Sequence, residues 1–233
     1  MSAINTNMTF NFTEAYDNEI QVSVAENQPA NSYLERDGRE VITHSGGNPA
    51  AHPTLSGVIK GGESHLLTEG SITIEHTMDS DYTQTKADNY FGWLTSNDQS
   101  MEDAPGSTRS YNDTDKKITI SYTVEHSQTG WRPLKLRYVP DSVKAKMTLG
   151  AGSTLICVTR FAHINDWTVE HMNIQANTST LIEKEGGTCY VIFASDVTKG
   201  SDTLTKFKAY KLSSGDINVT STANTMVIRL YRA

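Results

Sequence analysis

The sequence has no long hydrophobic run: no stretch approaches the ~18 consecutive apolar residues of a membrane-spanning helix, and the opening "MSAINTNMTFNFTEAYDNEI" lacks the basic start and apolar core of a secretory signal. Positive charge is also scarce. Twenty Lys and Arg stand against 27 Asp and Glu, giving a net charge of −7, and the first 35 residues contain neither Lys nor Arg. Phosphate neutralisation needs clustered cations, so neither general nucleic-acid binding nor a basic genome-binding arm is expected. No G-x-S-x-G elbow, phosphate-binding loop, dinucleotide fingerprint, H-E-x-x-H, zinc-finger spacing or EF-hand order occurs, so no cofactor is expected. The two cysteines, Cys157 and Cys189, lie inside the apolar runs "STLICVTRF" and "GGTCYVIFA". They read as buried thiols acting as small hydrophobes. A disulfide between neighbouring strands is the alternative, which spacing does not settle. Asn-X-Ser/Thr triplets starting at Asn7, Asn11, Asn112, Asn177 and Asn218 reflect Asn- and Thr-rich composition.

What is present is alternation. Period-two patterns dominate, helical periodicity is rare, and Thr, Ser and Asn fill the wet positions. Strands are expected at Glu19–Ala25, Gly57–Lys60, Gly70–Met78, Lys117–His126, Leu134–Val139, Ser153–Ala162, Trp167–Asn173, Cys189–Ser195, Thr205–Leu212 and Thr225–Arg232. Gly-, Pro-, Asn- and Asp-rich clusters separate them, which predicts an all-β, antiparallel, jelly-roll-like sandwich with long loops and little helix. Short helical turns are expected only in "TKADNYFGWL" and "PDSVKAKM". "TCYVIFA" and "LICV" are almost continuously apolar, as strands buried on both faces would be, the second face meeting a loop or another subunit. "NTMVIRLYRA" alternates instead. Residues 1–56 read as an irregular segment or arm packed on the single domain formed by 57–233.

Glu-His occurs three times near the ends of alternating runs, at Glu75-His76, Glu125-His126 and Glu170-His171. Successive strand residues point to opposite faces, so each histidine continues the apolar face and each glutamate the polar one. Glu and His of one pair therefore cannot grip the same ion. No metal is expected unless His76, His126 and His171 converge at one rim, where three imidazoles and a water would make an open zinc site. His44, His52, His65 and His163 read mostly as loop residues. The carboxylates Asp98, Glu102, Asp103, Asp113 and Asp115 read as a solvated loop.

The segment from Tyr82 to Tyr111 is long for a connection in a compact domain, and such loops are usually functional or mobile. With the "GWRPLKLR" run it supplies the candidate binding residues Tyr90, Phe91, Trp93, Tyr111, Trp131 and Arg132, for a glycan, a membrane surface or a protein partner. The first functional expectation is a non-enzymatic, self-assembling structural or attachment protein: a capsid, penton, decoration or fibre component of a virion or phage. Its partners would be further copies of itself or other virion proteins, and its location the virion, or the cytoplasm before release. The alternative is a β-rich pore-forming or lectin-like protein that touches glycans or membranes. A third reading is an enzyme built on the three histidines.

Overall fold

The computed structural model describes residues 5–37, 63–85, 93–94, 107–126, 130–131, 135–136, 142–163 and 166–233. Among these the chain forms β1 (Asn5–Thr6), β2 (Asn11–Tyr16), β3 (Ile20–Gln28), β4 (Tyr33–Asp37), β5 (Glu63–Glu69), β6 (Ser71–Met78) and β7 (Trp93–Leu94). There follow β8 (Ser107–Asn112), β9 (Lys117–Thr123), β10 (Lys135–Leu136), β11 (Ser142–Leu149), β12 (Ser153–Arg160) and β13 (Thr168–Ile174). The last strands are β14 (Thr180–Ile182), β15 (Thr188–Phe193), β16 (Val197–Lys199), β17 (Asp202–Leu204), β18 (Ala209–Lys211), β19 (Ile217–Val219) and β20 (Thr225–Arg232).

Three antiparallel sheets carry the fold. The first has the order β1-β4-β11-β6-β9-β8, the second β2-β3-β12-β5 and the third β13-β20-β15-β18; β7/β10, β14/β19 and β16/β17 form small pairs. Alternation decides what faces what. From β6 and β9 the residues Ile72, Ile74, Ile118 and Ile120 point inward to a first core, which Leu67 and Leu155 of the second sheet close from the other side. The opposite face of the second sheet supplies Val22, Leu66, Ile156 and Val158 to a second core, completed by Tyr190, Ile192, Ile228 and Leu230 of the third. Val191, Phe193 and Val227 leave the third sheet's far face and pack with Ile182, Val197 and Val219 in a third core. The result is an all-β, jelly-roll-like sandwich extended into a stack of layers.

The continuously apolar runs are explained by this stack. β12 and β15 are buried on both faces, and both coverings come from the chain's own sheets, not from a neighbour. β20, whose pattern resembles a half-wet strand, is buried on both faces as well. Its Arg229 is only 3% exposed. The guanidinium donates to Glu170 Oε2 at 2.7 Å and to the Glu183 carbonyl at 2.9 Å, and lies 3.8 Å from the centre of the Trp131 ring.

Local chemistry fixes the corners. Asp17 and Asn18, with φ of 47° and 54°, turn the chain between β2 and β3, and short Asx side chains tolerate that left-handed geometry. Gly70, at φ 83°, turns β5 of the second sheet into β6 of the first. A Cβ there would lie 2.7 Å from Ser153 Cα, so the corner admits no side chain.

Three expectations are corrected. Residues 5–37 are not an irregular arm: they contribute β1–β4, with β3 between β2 and β12 and β4 between β1 and β11. "PDSVKAKM" forms no helical turn over its described part. It lies in β11, where Ala145 and Met147 face the first core while Lys144 pairs outside with Glu35 at 2.7 Å. The strand expected over Thr205–Leu212 is reduced to β18, because Phe207 takes a φ of 64° and its N–H bonds the Phe193 carbonyl at 2.8 Å. The cysteines are two buried free thiols, as their apolar runs predict; the alternative of a disulfide fails because Cys157 shares the Leu155 face of β12 while Cys189 lies in the third core. Of "TKADNYFGWL", only Thr85, Trp93 and Leu94 lie within the described residues, the last two in β7; Gly57–Lys60 lies outside them.

Candidate functional site

A constellation of metal-ligand type lies on the second sheet, on the face shared with Leu67 and Leu155. In β5, Glu63 and His65 are two residues apart and so share that face. In β12, Cys157 is the direct cross-strand partner of His65, and Thr159 that of Glu63. Strand pairing thus places carboxylate, imidazole and thiol at the corners of one triangle. One donor atom from each lies within 4.8 Å of the others. His65 and Cys157 are buried at 2% and 8% exposure, while Glu63 is partly exposed. On the neighbouring strand Ser23 is registered against Cys157 and Phe12 against Ser23. Phe10 packs over the imidazole with ring centres 6.0 Å apart.

The spacing bears on the chemistry. His65 Nε2 and Glu63 Oε2 are 3.7 Å apart, too far for a strong hydrogen bond. Tetrahedral zinc with bonds of 2.0–2.3 Å separates its ligand atoms by roughly 3.3–3.8 Å. The three side chains therefore need only rotate and draw in slightly to share one ion. Thiolate, imidazole and carboxylate together suit zinc and similar borderline metals better than calcium or magnesium, which take oxygen ligands. Two of the three donors are anionic when coordinated and would neutralise a divalent ion. Three protein ligands leave a fourth position for water or another ligand.

The Glu-His histidines do not converge. His76 faces the first core beside Ile74, and burial lowers its pKa to about 4, so the imidazole is neutral. His171 aligns with Val169 on the opposite side of the second sheet, toward the second core. His126 follows β9, its carbonyl accepting from Gln175 Nε2 at 2.7 Å. Of the glutamates, Glu75 pairs outside with Lys117 at 3.1 Å and Glu125 is exposed, but Glu170 shares the face of Met172 and Ile174 toward the third core, where it pairs with the buried Arg229 at 2.7 Å.

Of the aromatic candidates, the two with described side chains, Tyr111 and Trp131, pack against different cores. The Tyr111 hydroxyl donates to the Tyr82 carbonyl at 3.1 Å and its ring packs against the first core. Trp131 packs against the third core, covering Arg229. Trp93 lies in β7; Tyr90, Phe91 and Arg132 fall outside the described residues. Sequence reasoning missed the Glu63–His65–Cys157 group because it read His65 as a loop residue. "ESH" at strand spacing was the available signal. Cys157, 92 positions downstream, is joined to it only by strand order.

No protein-family model and no curated protein matches the chain. Among solved structures it is similar to a cupin 2 conserved barrel domain protein from Leptotrichia buccalis, at 7% identity and a TM-score of 0.35, covering 100% of this chain and 90% of that one. It is also similar to YhaK from Escherichia coli, at 8% identity and a TM-score of 0.32, covering 99% and 93%. These likenesses are too weak to carry a function across. No helix among the described residues is long and apolar enough to cross a membrane.

Proposed function

We propose that this chain is a metal-binding β-sandwich protein that holds one zinc-like divalent ion on Glu63, His65 and Cys157. The observation that supports this is the set of three different donor types within 4.8 Å of one another, fixed by strand register. The open fourth position lets the ion engage a ligand from outside the chain. The test uses untagged protein loaded with Co(II) and dialysed. One ion per chain with a thiolate-to-cobalt charge-transfer band is expected, both lost in Cys157→Ser and His65→Ala. A wild type without that band, or a Cys157→Ser protein that retains it, would sink the assignment; far-UV circular dichroism checks that the variants fold.

A second reading keeps the expected structural or attachment role in a larger particle, such as a virion component. It is supported by two large aromatics open to solvent, Phe12 and Phe161, at 58% and 55% exposure. By alternation both fall on the donor-bearing face of the second sheet. Self-assembly through that face predicts a defined oligomer by light scattering that Phe12→Ser with Phe161→Ser dissociates. A monomer at every concentration removes this reading.

A further inference from the structure

A cleft opens at the opposite end of β5 and β12 from the metal donors. The N-terminal lobe (the first two sheets) contributes Glu26, Glu69 and Thr154, and the C-terminal lobe (residues 166–233) contributes Ser195, Asn224 and Thr225. Its volume is about 300 Å³, the lower end of the range for small-molecule sites. Glu69 and Glu63 are six residues apart on β5, about 20 Å, while Thr154 and Cys157 are three residues apart on β12, about 10 Å, and none of the three metal donors lines the cleft.

The lining chemistry restricts what fits. Glu26 is engaged by an ion pair with Lys206, which leaves Glu69 as a lining carboxylate with no ion pair among the described residues. That disfavours phosphates and carboxylates, and an apolar ligand would desolvate the partly exposed Ser195 hydroxyl, which meets only Ser221 at 3.4 Å, whereas Thr154 and Thr225 are already buried. Asn224 Oδ1 accepts from the Ala176 N–H at 2.9 Å, which orients the amide and keeps its NH₂ group as a donor. His126 also lines the cleft, its Nδ1 buried and without a hydrogen-bond partner among the described residues, a condition that calls for an explanation in a folded protein. Phe207 adds an apolar wall, with Lys206 Nζ 4.9 Å from its ring centre. A carboxylate, an amide and several hydroxyls around one aromatic make a surface that matches a molecule carrying many hydroxyls on an otherwise apolar ring.

We propose that the cleft between the two lobes binds a neutral sugar. The probes are glucose, galactose, mannose and N-acetylglucosamine, with glucose 6-phosphate and glucosamine as charged comparisons, read by saturation-transfer NMR and titration calorimetry. At least one neutral sugar gives transfer with a millimolar dissociation constant. Asn224→Ala and Glu69→Gln each weaken it at least tenfold, while Cys157→Ser, which removes a metal donor, leaves it unchanged. Circular dichroism and urea midpoints confirm that the variants fold. No transfer from any neutral sugar, binding that survives both cleft variants, or transfer from the charged compounds alone overturns the proposal. Because Cys157→Ser removes a metal donor that does not line the cleft, and the cleft variants leave all three donors in place, failure here is distinguishable from failure of the metal site.

Discussion

His76 makes stability depend on pH between about 4 and 6.5. It sits in β6 between Ile74 and Met78, registered against Ala145 of β11 and Ile118 of β9, and is 2% exposed. Burial lowers its pKa from 6.5 to about 4. Between those values the unfolded chain takes up a proton that the folded chain refuses, so acid favours unfolding. The stabilisation is fully present above 6.5 and is lost as pH falls toward 4. From pH 7.5 to 5.0 the loss is about 2 kcal/mol, and the whole shift is worth about 3 kcal/mol. In urea, with a slope of about 2 kcal/mol/M, the midpoint falls by about 1 M. The assay is urea unfolding of the wild type and His76→Leu at both pH values. Asp17 is held below its ordinary value by its hydrogen bonds from Lys211 and Tyr190. Glu19, which burial alone would raise, is held down by Arg232 and Tyr190. Both therefore lose their contribution as pH falls from their unfolded values of 3.8 and 4.5 through the lower folded ones, below the interval from 7.5 to 5.0, and do not mask the effect. The wild type loses about 2 kcal/mol more than His76→Leu over the interval. Equal midpoint shifts in the two proteins would refute the argument that a buried neutral imidazole underlies it.

Two further substitutions test the packing. Gly70→Ala forces a left-handed φ on a residue with a side chain and drives its Cβ into Ser153; at least about 2 kcal/mol of stability is lost in urea unfolding, and an unchanged midpoint would mean that the corner relaxes freely. Glu170→Ala leaves Arg229 buried with only the more exposed Glu185, 3.9 Å away, to offset its charge and costs about 3 kcal/mol, whereas the double variant Glu170→Leu/Arg229→Met costs less than that single change. A double-mutant cycle by thermal or urea unfolding measures the difference, and simple additivity would contradict the coupling.

Strand identity was legible wherever sequence and pleat share a period. Ser71–Met78, Lys117–Thr123 and Thr225–Arg232 were expected as strands, because side-chain alternation is a local property of the extended backbone. The outward placement of Glu75 followed from the same rule, whereas the face of Glu170, expected to be wet, is covered by the third core. β11 was misread because a run of mixed Lys and Ala carries little β propensity, and its place between β4 and β6 overrides that preference. Whether "LICV" and "TCYVIFA" met one neighbour or two was also undetermined, since continuous apolarity says that both faces are covered and not by what. The sequence by itself determined an all-β chain and which residues of a strand share a face, but not whether the second face of β13 or β20 is wet or covered. Only the tertiary structure decided that three sheets stack, that Trp131 covers Arg229 instead of facing solvent, and that Cys157 lies beside His65. Each of these depends on pairing between segments far apart in the chain, and a two-residue repeat contains no record of which strand lies next to which.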